Sequence, residues 1–320
     1  HTAYRRQRQM CIRDSYKEMC EAGVLGFIQS ASVPLRALYD RPLVNDKNTT
    51  FDNLPEVCDI KLDEHQYAVI EQMAKERREF WLEFDIRNHF KLGPVKYHNV
   101  VASIKGTKYP DEYVIISGHL DAFDVATGGI DCGTGIGPMM EAARLIALSG
   151  AKPKRTILFI AFAGEEFGLL GAKAYARTHQ NELGKIANLF NRDGGPTPPI
   201  GISVPQAMYD DFVEICKPVK NINPDFPFEV KVAKPRKRPT STGGTDASVF
   251  AVEGVPTYGF TTDDIKGYNF SYGEIWHTER DLYTKNIPEY QEHTAVVTAI
   301  VALGVANLDK QLSREGMYKE

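Results

Sequence analysis

One histidine and several carboxylic acids stand close behind apolar runs in the amino-acid sequence, and a second, isolated histidine follows much later. His119 and Asp121 follow the run Tyr113–Ser117, and Asp131 lies twelve residues after His119 in a glycine-rich loop. More residues of these two types occur later in the chain, at Glu165, Glu166, Asp193 and His277. Imidazole and carboxylate groups without thiolates favour zinc, with manganese or cobalt as possible substitutes. The sequence therefore predicts a carboxylate-rich metal site.

The runs before these groups predict the strands that position them. Tyr113–Ser117, Arg155–Ala163 and Ile186–Asn191 are short and apolar, as in strands buried on both faces. Between them, Pro138–Ser149 and Gly168–Gln180 have helical patterns. Strands that alternate with helices indicate a doubly wound α/β sheet. In such a sheet ligands bind at the carboxyl ends of the strands, where we expect these groups to meet.

Further elements extend this pattern on both sides. The expected strands are Asn99–Lys105 and Thr257–Phe260, and the expected helices are Gln206–Cys216 and Pro288–Asn307, the last opened by a proline in its first turn. Residues 218–245 are less regular, and their basic stretch at 234–239 is broken by prolines. We interpret that stretch as a solvated loop and not as a nucleic-acid surface.

The order and spacing of the polar groups resemble those of peptidase family M28, the co-catalytic zinc aminopeptidases and carboxypeptidases. Five motifs carry the resemblance over residues 98–308: HLD at 119–121, Asp131 in D-x-G-T-G, the pair Glu165-Glu166, Asp193, and W-H-T-x-x-D at 276–281. Residues 118–135 are most similar to the carboxypeptidase Q branch, also called plasma glutamate carboxypeptidase. The resemblance implies the zinc exopeptidase fold, a mixed doubly wound sheet.

The resemblance also implies a role for each residue. Two zinc ions would be held by His119, Asp131, Glu166, Asp193 and His277, with Asp131 shared between them. Glu165 would be the general base that takes a proton from water and returns it to the leaving amine. The carboxylate of Asp121 would orient His119 through its second ring nitrogen. The substrate would be a peptide or dipeptide cleaved near one end.

Two positions depart from the family pattern. Cys132 stands where relatives commonly have Asp or Asn, and its thiol could ligate a metal or merely pack. Trp276 stands where many relatives have a tyrosine that helps to hold the oxyanion. Tyr258, Tyr268 and Tyr272 are candidate substitutes, and the last two are better placed because they lie on the loop before His277. Asp246 lies in a segment similar to a wall of the family's substrate site, so we place it on the substrate side.

The domain organisation is predicted to have three parts. Residues 1–15 are basic and begin with His, which suggests a ragged or non-native start. Residues 16–97 read as a separate unit with a strand at Val24–Gln29, a helix at His65–Arg77 and a strand at Glu79–Asn88. The resemblance implies a partial protease-associated domain there, with more chain and a signal peptide upstream. Residues 98–310 form the expected peptidase domain.

Composition limits the function classes. The 320 residues carry a net charge of −4, and no stretch of about 18 apolar residues occurs. We therefore expect neither a nucleic-acid nor a membrane partner. The family implies a secreted or periplasmic location and is compatible with a homodimer. Two alternatives stay open, a glutaminyl-cyclase-like acyltransferase with one zinc and a catalytically inactive binding homologue. Aminopeptidase, dipeptidase and carboxypeptidase specificities are equally open.

Overall fold

The chain forms two compact units, residues 1–95 and 96–320. The structure is a computed structural model that describes residues 18–31, 52, 58–87, 94–123 and 126–319. The segment 1–15, interpreted as a ragged start, lies outside the described residues. None of the helices described is long and apolar enough to cross a membrane.

The first unit contains a two-stranded sheet and a helix. Strands β1 (Gly26–Ala31) and β2 (Cys58–Asp63) pair in parallel, and helix α1 (Glu64–Lys75) follows β2 directly. The predicted strand at Glu79–Asn88 is wrong over its described part, because residues 79–87 have no regular structure. Alternating apolar residues make a strand only where they pack on neighbours, and here Trp81 is 89% exposed. The protease-associated interpretation of 16–97 stays a prediction.

The second unit is built on a four-stranded mixed sheet. Its strands are β3 (Val100–Ile104), β4 (Tyr109–His119), β5 (Arg155–Phe162) and β6 (Ile186–Asn191). Their order is β3-β5-β4-β6, with β3 antiparallel to β5 and the other three strands parallel. The last six residues of β4 and most of β5 and β6 are buried. Strands covered on both faces need continuous apolar runs, which is why the sequence predicted them.

Helices cover both faces of this sheet. The α-helices described in this unit are α2 (Gly133–Leu148), α3 (Leu170–Thr178), α4 (Gln206–Cys216), α5 (Ala247–Val252), α6 (Tyr272–Ile275) and α7 (Pro288–Ala306). Because successive side chains of a strand point to opposite faces, Val114 and Ile116 of β4 join a core cluster with α2, α4 and α7. Ile115 joins a second cluster with α3 and α5. The predicted doubly wound α/β class is confirmed.

A second, three-stranded sheet holds part of the chain that the sequence did not predict as strands. Its members are β7 (Pro199–Val204), β8 (Glu229–Val232) and β9 (Phe260–Thr262), in the order β8-β7-β9. The predicted strand at Thr257–Phe260 is misplaced, since β9 only begins at Phe260. Before it, the Asn188 side chain makes two 3.0 Å hydrogen bonds with the main chain of Tyr258. A side-chain amide there takes the place of a strand partner.

Strand register places the carboxyl ends of three strands side by side. His119 of β4 pairs with Phe162 of β5, and Ser117 of β4 pairs with Asn191 of β6. The residues that follow these strands therefore emerge at one edge of the sheet. This is the edge at which open α/β sheets bind ligands.

Candidate metal centre

His119 is the centre of the first group of side chains at this edge. It is the last residue of β4 and is 2% exposed. Its Nε2 lies 3.0 Å from Oδ1 of Asp131 and 3.5 Å from Oδ1 of Asp193. Asp131 comes from the loop before α2, and Asp193 follows β6 by two residues. The register of β4 and β6 thus brings together residues 74 positions apart.

His277 and Glu166 form the second group. Nε2 of His277 lies 2.9 Å from Oε2 of Glu166, and both side chains are 5% exposed. The two groups adjoin, because one ligand atom each from His119, Asp131 and Glu166 lies within 4.8 Å of the others. The structure therefore collects at one place all five side chains that the sequence suggested as metal ligands.

Asp121 acts differently from the prediction. Its backbone carbonyl, and not its carboxylate, accepts a 2.8 Å hydrogen bond from Nδ1 of His119, while the nearer carboxylate oxygen is 3.8 Å away. The carboxylate instead accepts the backbone N–H groups of Glu165 and Glu166, each at 3.1 Å. Asp121 therefore orients His119 through its main chain and holds the Glu165-Glu166 turn through its side chain.

Asp281 ends the W-H-T-x-x-D motif, and the sequence predicted no role for it. It is 3% exposed, and its carboxylate accepts the backbone N–H of Ile130 at 2.6 Å and that of Asp131 at 3.3 Å. Its carbonyl accepts the N–H of Gly129 at 3.3 Å. One residue thus holds the loop that presents Asp131. Only its place four residues after His277 could have pointed to it.

Arg192 joins helix α2 to the segment that carries Asp193. Pro138 lies inside α2 and has no N–H, so the carbonyl of Thr134, four residues earlier, lacks its helical donor. Nε of Arg192 donates to that carbonyl at 3.0 Å, and its Nη2 donates to the carbonyls of Gly195 and Thr197 at 2.9 and 2.8 Å. Burial lowers the pKa of this guanidinium to about 10.

The glycine-rich loop allows this close approach. A Cβ at Gly135 would lie 2.2 Å from the carbonyl oxygen of Arg192, so no other residue fits there. The neighbouring Cys132 thiol donates to the same carbonyl at 3.0 Å. Burial raises the pKa of that thiol to about 12. Of the two roles left open for Cys132, these contacts favour the packed thiol over a metal-binding thiolate.

The two candidate tyrosines have different surroundings. The phenol of Tyr272 lies beside Asp131, and burial together with the charge of Asp131 raises the pKa of that phenol. The hydroxyl of Tyr268 instead donates to Glu289, and the Tyr268 side chain packs edge-on against Tyr290. Tyr268 is 54% exposed. The fold thus brings Tyr272 to Asp131 and Tyr268 to Glu289, and the substrate-side role of both tyrosines stays a prediction.

Comparison with known proteins identifies the family. The sequence profile that describes peptidase family M28 matches residues 99–301 of this chain. The chain belongs to peptidase family M28. Carboxypeptidase Q from Rattus norvegicus is 31% identical over 236 residues, which make up 71% of this chain and 46% of that protein. The chain thus spans about half the length of the curated relatives that it matches.

Solved structures support the M28 fold. A peptidase M28 precursor from Shewanella amazonensis is 27% identical, with a TM-score of 0.64 over 83% of this chain and 57% of that one. A zinc aminopeptidase from Bacillus subtilis, 20% identical with a TM-score of 0.51 over 69% of this chain and 53% of its own, shares the fold. The mixed doubly wound sheet is therefore that of M28 zinc exopeptidases.

The electrostatics of the M28 site require added positive charge. Burial opposes protonation of His119, but hydrogen bonds to Asp131 and Asp193 outweigh it and raise the pKa of the imidazole far above its ordinary value. Burial acts in the opposite sense on Asp131, and the bond from His119 outweighs it and lowers the pKa of that carboxyl. A proton on His119 thus offsets the buried carboxylates. Metal cations would do so more completely.

Two further carboxyl groups lie in the same field. Burial, reinforced by Asp193, raises the pKa of Glu165 to about 8. Burial also raises the pKa of Asp246, which is 1% exposed, to about 7. Neither carboxylate oxygen of Asp246 has a hydrogen-bond partner within the described part of the chain. An unpaired buried carboxylate is costly, so the residues present fit a site built to hold cations.

Proposed function

We propose that this M28 chain is a zinc-dependent exopeptidase that uses two metal ions to hydrolyse a peptide bond near a chain end. The observation that carries the proposal is the position of Asp131. Its carboxylate contacts His119 of one group, and it lies within metal-ligand range of Glu166 of the other. One carboxylate between two histidine–carboxylate groups is what two cations need in order to lie close together.

The distances between the side chains fit zinc. Ligands at the ~2.0–2.2 Å distances of tetrahedral zinc lie about 3.4 Å apart, close to the 2.9–3.5 Å between the paired histidine and carboxylate atoms here. His119, Asp131 and Asp193 would hold one ion, and Asp131, Glu166 and His277 the other. When bound, zinc lowers the pKa of water and polarises a carbonyl.

Glu165 is proposed as the group that moves protons. It adjoins the ligand Glu166 but is less buried, and Asp121 fixes the main chain of both residues. A carboxyl whose pKa is raised to about 8 takes and gives up protons near neutrality. Its carboxylate would accept a proton from the attacking water and return it to the nitrogen of the leaving amine.

Tyr272 and Asp246 are proposed to face the substrate. Burial, with the nearby Asp131 and Asp193, raises the pKa of Tyr272, so its phenol stays a neutral hydrogen-bond donor. Such a donor beside Asp131 suits the oxyanion that forms as water attacks the carbonyl. Asp246 adds negative charge on the substrate side, which suits a substrate with a free ammonium group. From the resemblance we also propose a secreted or periplasmic location and a homodimer.

Metal content measured together with hydrolysis tests this proposal. Dialysed wild-type protein and Asp131→Ala would be analysed for zinc, and hydrolysis of a panel of dipeptides would be followed in the same samples. We expect about two zinc ions per wild-type chain, and loss of both metal and hydrolysis in the variant. A single bound zinc without hydrolysis would contradict the two-metal peptidase, and absence of zinc would contradict any metallopeptidase.

A further inference from the structure

The two histidines of the centre are oriented by different means. Nδ1 of His119 donates to the carbonyl of Asp121, the usual way in which a metal-binding imidazole is held. The described residues offer Nδ1 of His277 no comparable hydrogen bond, since its ring bonds only through Nε2 to Glu166. In the described part of the chain, ring contacts are the other means that can fix the rotation of the His277 imidazole.

We propose that Phe123 and Trp276 are positioning residues that hold His277 as a metal ligand by stacking on its imidazole. The Phe123 ring lies 4.0 Å from that of His277 at an interplanar angle of 9°. The Trp276 ring lies 3.9 Å from it at 27°. This inference rests on the zinc site proposed above and assigns a role to two residues that are not themselves ligands.

The backbone shows that this arrangement is imposed on His277. Its φ of +57° is in the left-handed region, which residues other than glycine seldom adopt. Such a conformation persists only where the surroundings determine it. Phe123 is 6% exposed and His277 5%, so both rings lie in the packed interior, and the stack leaves Nε2 directed at Glu166.

Stacking also favours the metal-bound form of the ring. An imidazole that shares its nitrogen lone pair with a cation carries partial positive charge, and the faces of aromatic rings attract positive charge. The two aromatic faces therefore stabilise His277 more when its imidazole binds a metal ion than when it binds none. Trp276 stands where many relatives have a tyrosine. Its role would be to stabilise the metal-bound imidazole, since indole attracts cations more strongly than the other aromatic rings do.

Zinc affinity measured ion by ion tests the proposal. Phe123→Leu and Trp276→Leu would be compared with wild type in competition titrations against a chromophoric chelator, and cobalt-loaded samples would be followed by visible absorption. We expect one of the two ions to bind about 10–100-fold more weakly in each variant, with a changed cobalt spectrum. Trp276→Phe keeps an aromatic face and should restore most of the affinity.

A double-mutant cycle separates positioning from general loss of structure. In a His277→Ala background the Phe123 and Trp276 substitutions should weaken zinc binding no further, because the ring on which they act is gone. Phe260→Leu disturbs a stacked pair elsewhere, Phe190 and Phe260 at 5.7 Å, and should leave zinc affinity unchanged.

Each result has one meaning. If wild type binds two zinc ions and both leucine variants bind them with the same affinities, the positioning role alone is overturned. The same holds if the leucine substitutions weaken zinc binding as much in the His277→Ala background as in wild type. A wild-type chain that binds no second zinc would refute the proposed two-metal function and this inference with it.

Discussion

Two aspartates brace the centre through main-chain N–H groups. Asp121, two residues after the proposed ligand His119, holds the backbone of Glu165 and Glu166. Asp281, on the segment of the proposed ligand His277, holds the backbone of Asp131. Asp121 thereby ties the end of β4 to the Glu165-Glu166 turn, and Asp281 ties the His277 segment to the Asp131 loop. The cost of moving any one ligand is shared by the others, which keeps the cluster ordered despite its repulsive charges.

Asp281→Asn should loosen this bracing. An asparagine keeps one acceptor oxygen but turns an NH2 group toward the N–H groups of Ile130 and Asp131. We expect zinc affinity to fall about 10–100-fold and the free energy of unfolding by about 1–3 kcal/mol, measured by chelator competition and urea denaturation. Asp264→Asn is a matched control, because Asp264 accepts the N–H of Asn269 at 2.6 Å outside the centre. Equal zinc affinity in wild type and Asp281→Asn would contradict the brace.

Glu165→Gln separates proton transfer from metal binding. The amide cannot accept a proton from water, so kcat for dipeptide hydrolysis should fall by about 10²–10⁴-fold. Zinc content should stay at the wild-type value, because Glu166 and not Glu165 is the proposed ligand. Glu253→Gln on the surface provides the control. Near-normal kcat in Glu165→Gln would remove this residue from the mechanism.

Ligand types could be predicted from the sequence, whereas contacts through the main chain could not. Histidines and acids, most of them after apolar runs, indicated a carboxylate-rich metal site, and the resemblance to family M28 implied the five side chains that the structure brings together. The carboxylate of Asp121 was expected at His119 and instead binds two N–H groups. Nothing in the sequence distinguishes Tyr272 from Tyr268 either. Only the fold brings Tyr272 to Asp131 and Tyr268 to Glu289.

Among the strands and helices, the buried ones were easier to predict from the sequence than the exposed ones. Strands β4, β5 and β6 are covered on both faces and therefore have long apolar runs. Strand β8 has the sequence EVKV with mostly exposed side chains, and α5 has only six residues. Elements this short or this polar form because neighbours hold them, which leaves little local pattern. The late start of β9 also depends on a neighbour distant in sequence. The side chain of Asn188 hydrogen-bonds to the main chain of Tyr258, just before the strand begins.

Substitutions of Pro138 in α2 and of Arg192 should have coupled effects on the free energy of unfolding. Arg192→Met removes three hydrogen bonds to carbonyls, for which we expect a loss of about 2–4 kcal/mol in unfolding free energy. Pro138→Ala gives the helix an N–H for the carbonyl of Thr134. It should recover about 1 kcal/mol in the Arg192→Met background and less in wild type. Urea denaturation of the four proteins measures this, and equal effects in both backgrounds would disprove the coupling.

At the scale of the whole molecule, the metal centre belongs to one unit. The family match at 99–301 lies entirely within residues 96–320, as do all the proposed ligands. The core of this unit continues into α7, which packs on α2 and β4. Protonation of a buried group on α7 should therefore be felt as a change in global stability, independently of the metal.

His293 on α7 provides such a group. It is 5% exposed and stacks on Phe226 at 4.3 Å, and burial lowers the pKa of its imidazole below the ordinary value of 6.5. The unfolded chain then binds the proton more readily than the folded one. Stability is therefore complete above pH 6.5 and declines as the pH falls from there toward the folded-state pKa.

Urea denaturation between pH 5.5 and 8, with chelator present in every sample, measures this decline. One pH unit below 6.5 the loss from His293 should be at most about 1.4 kcal/mol. His293→Phe keeps a ring against Phe226 without a titrating group, so its unfolding free energy should fall less steeply with acidification. His98→Gln, at an exposed histidine, should keep the wild-type slope. If the slopes of wild type and His293→Phe coincide, the acid sensitivity of the fold arises elsewhere than on α7.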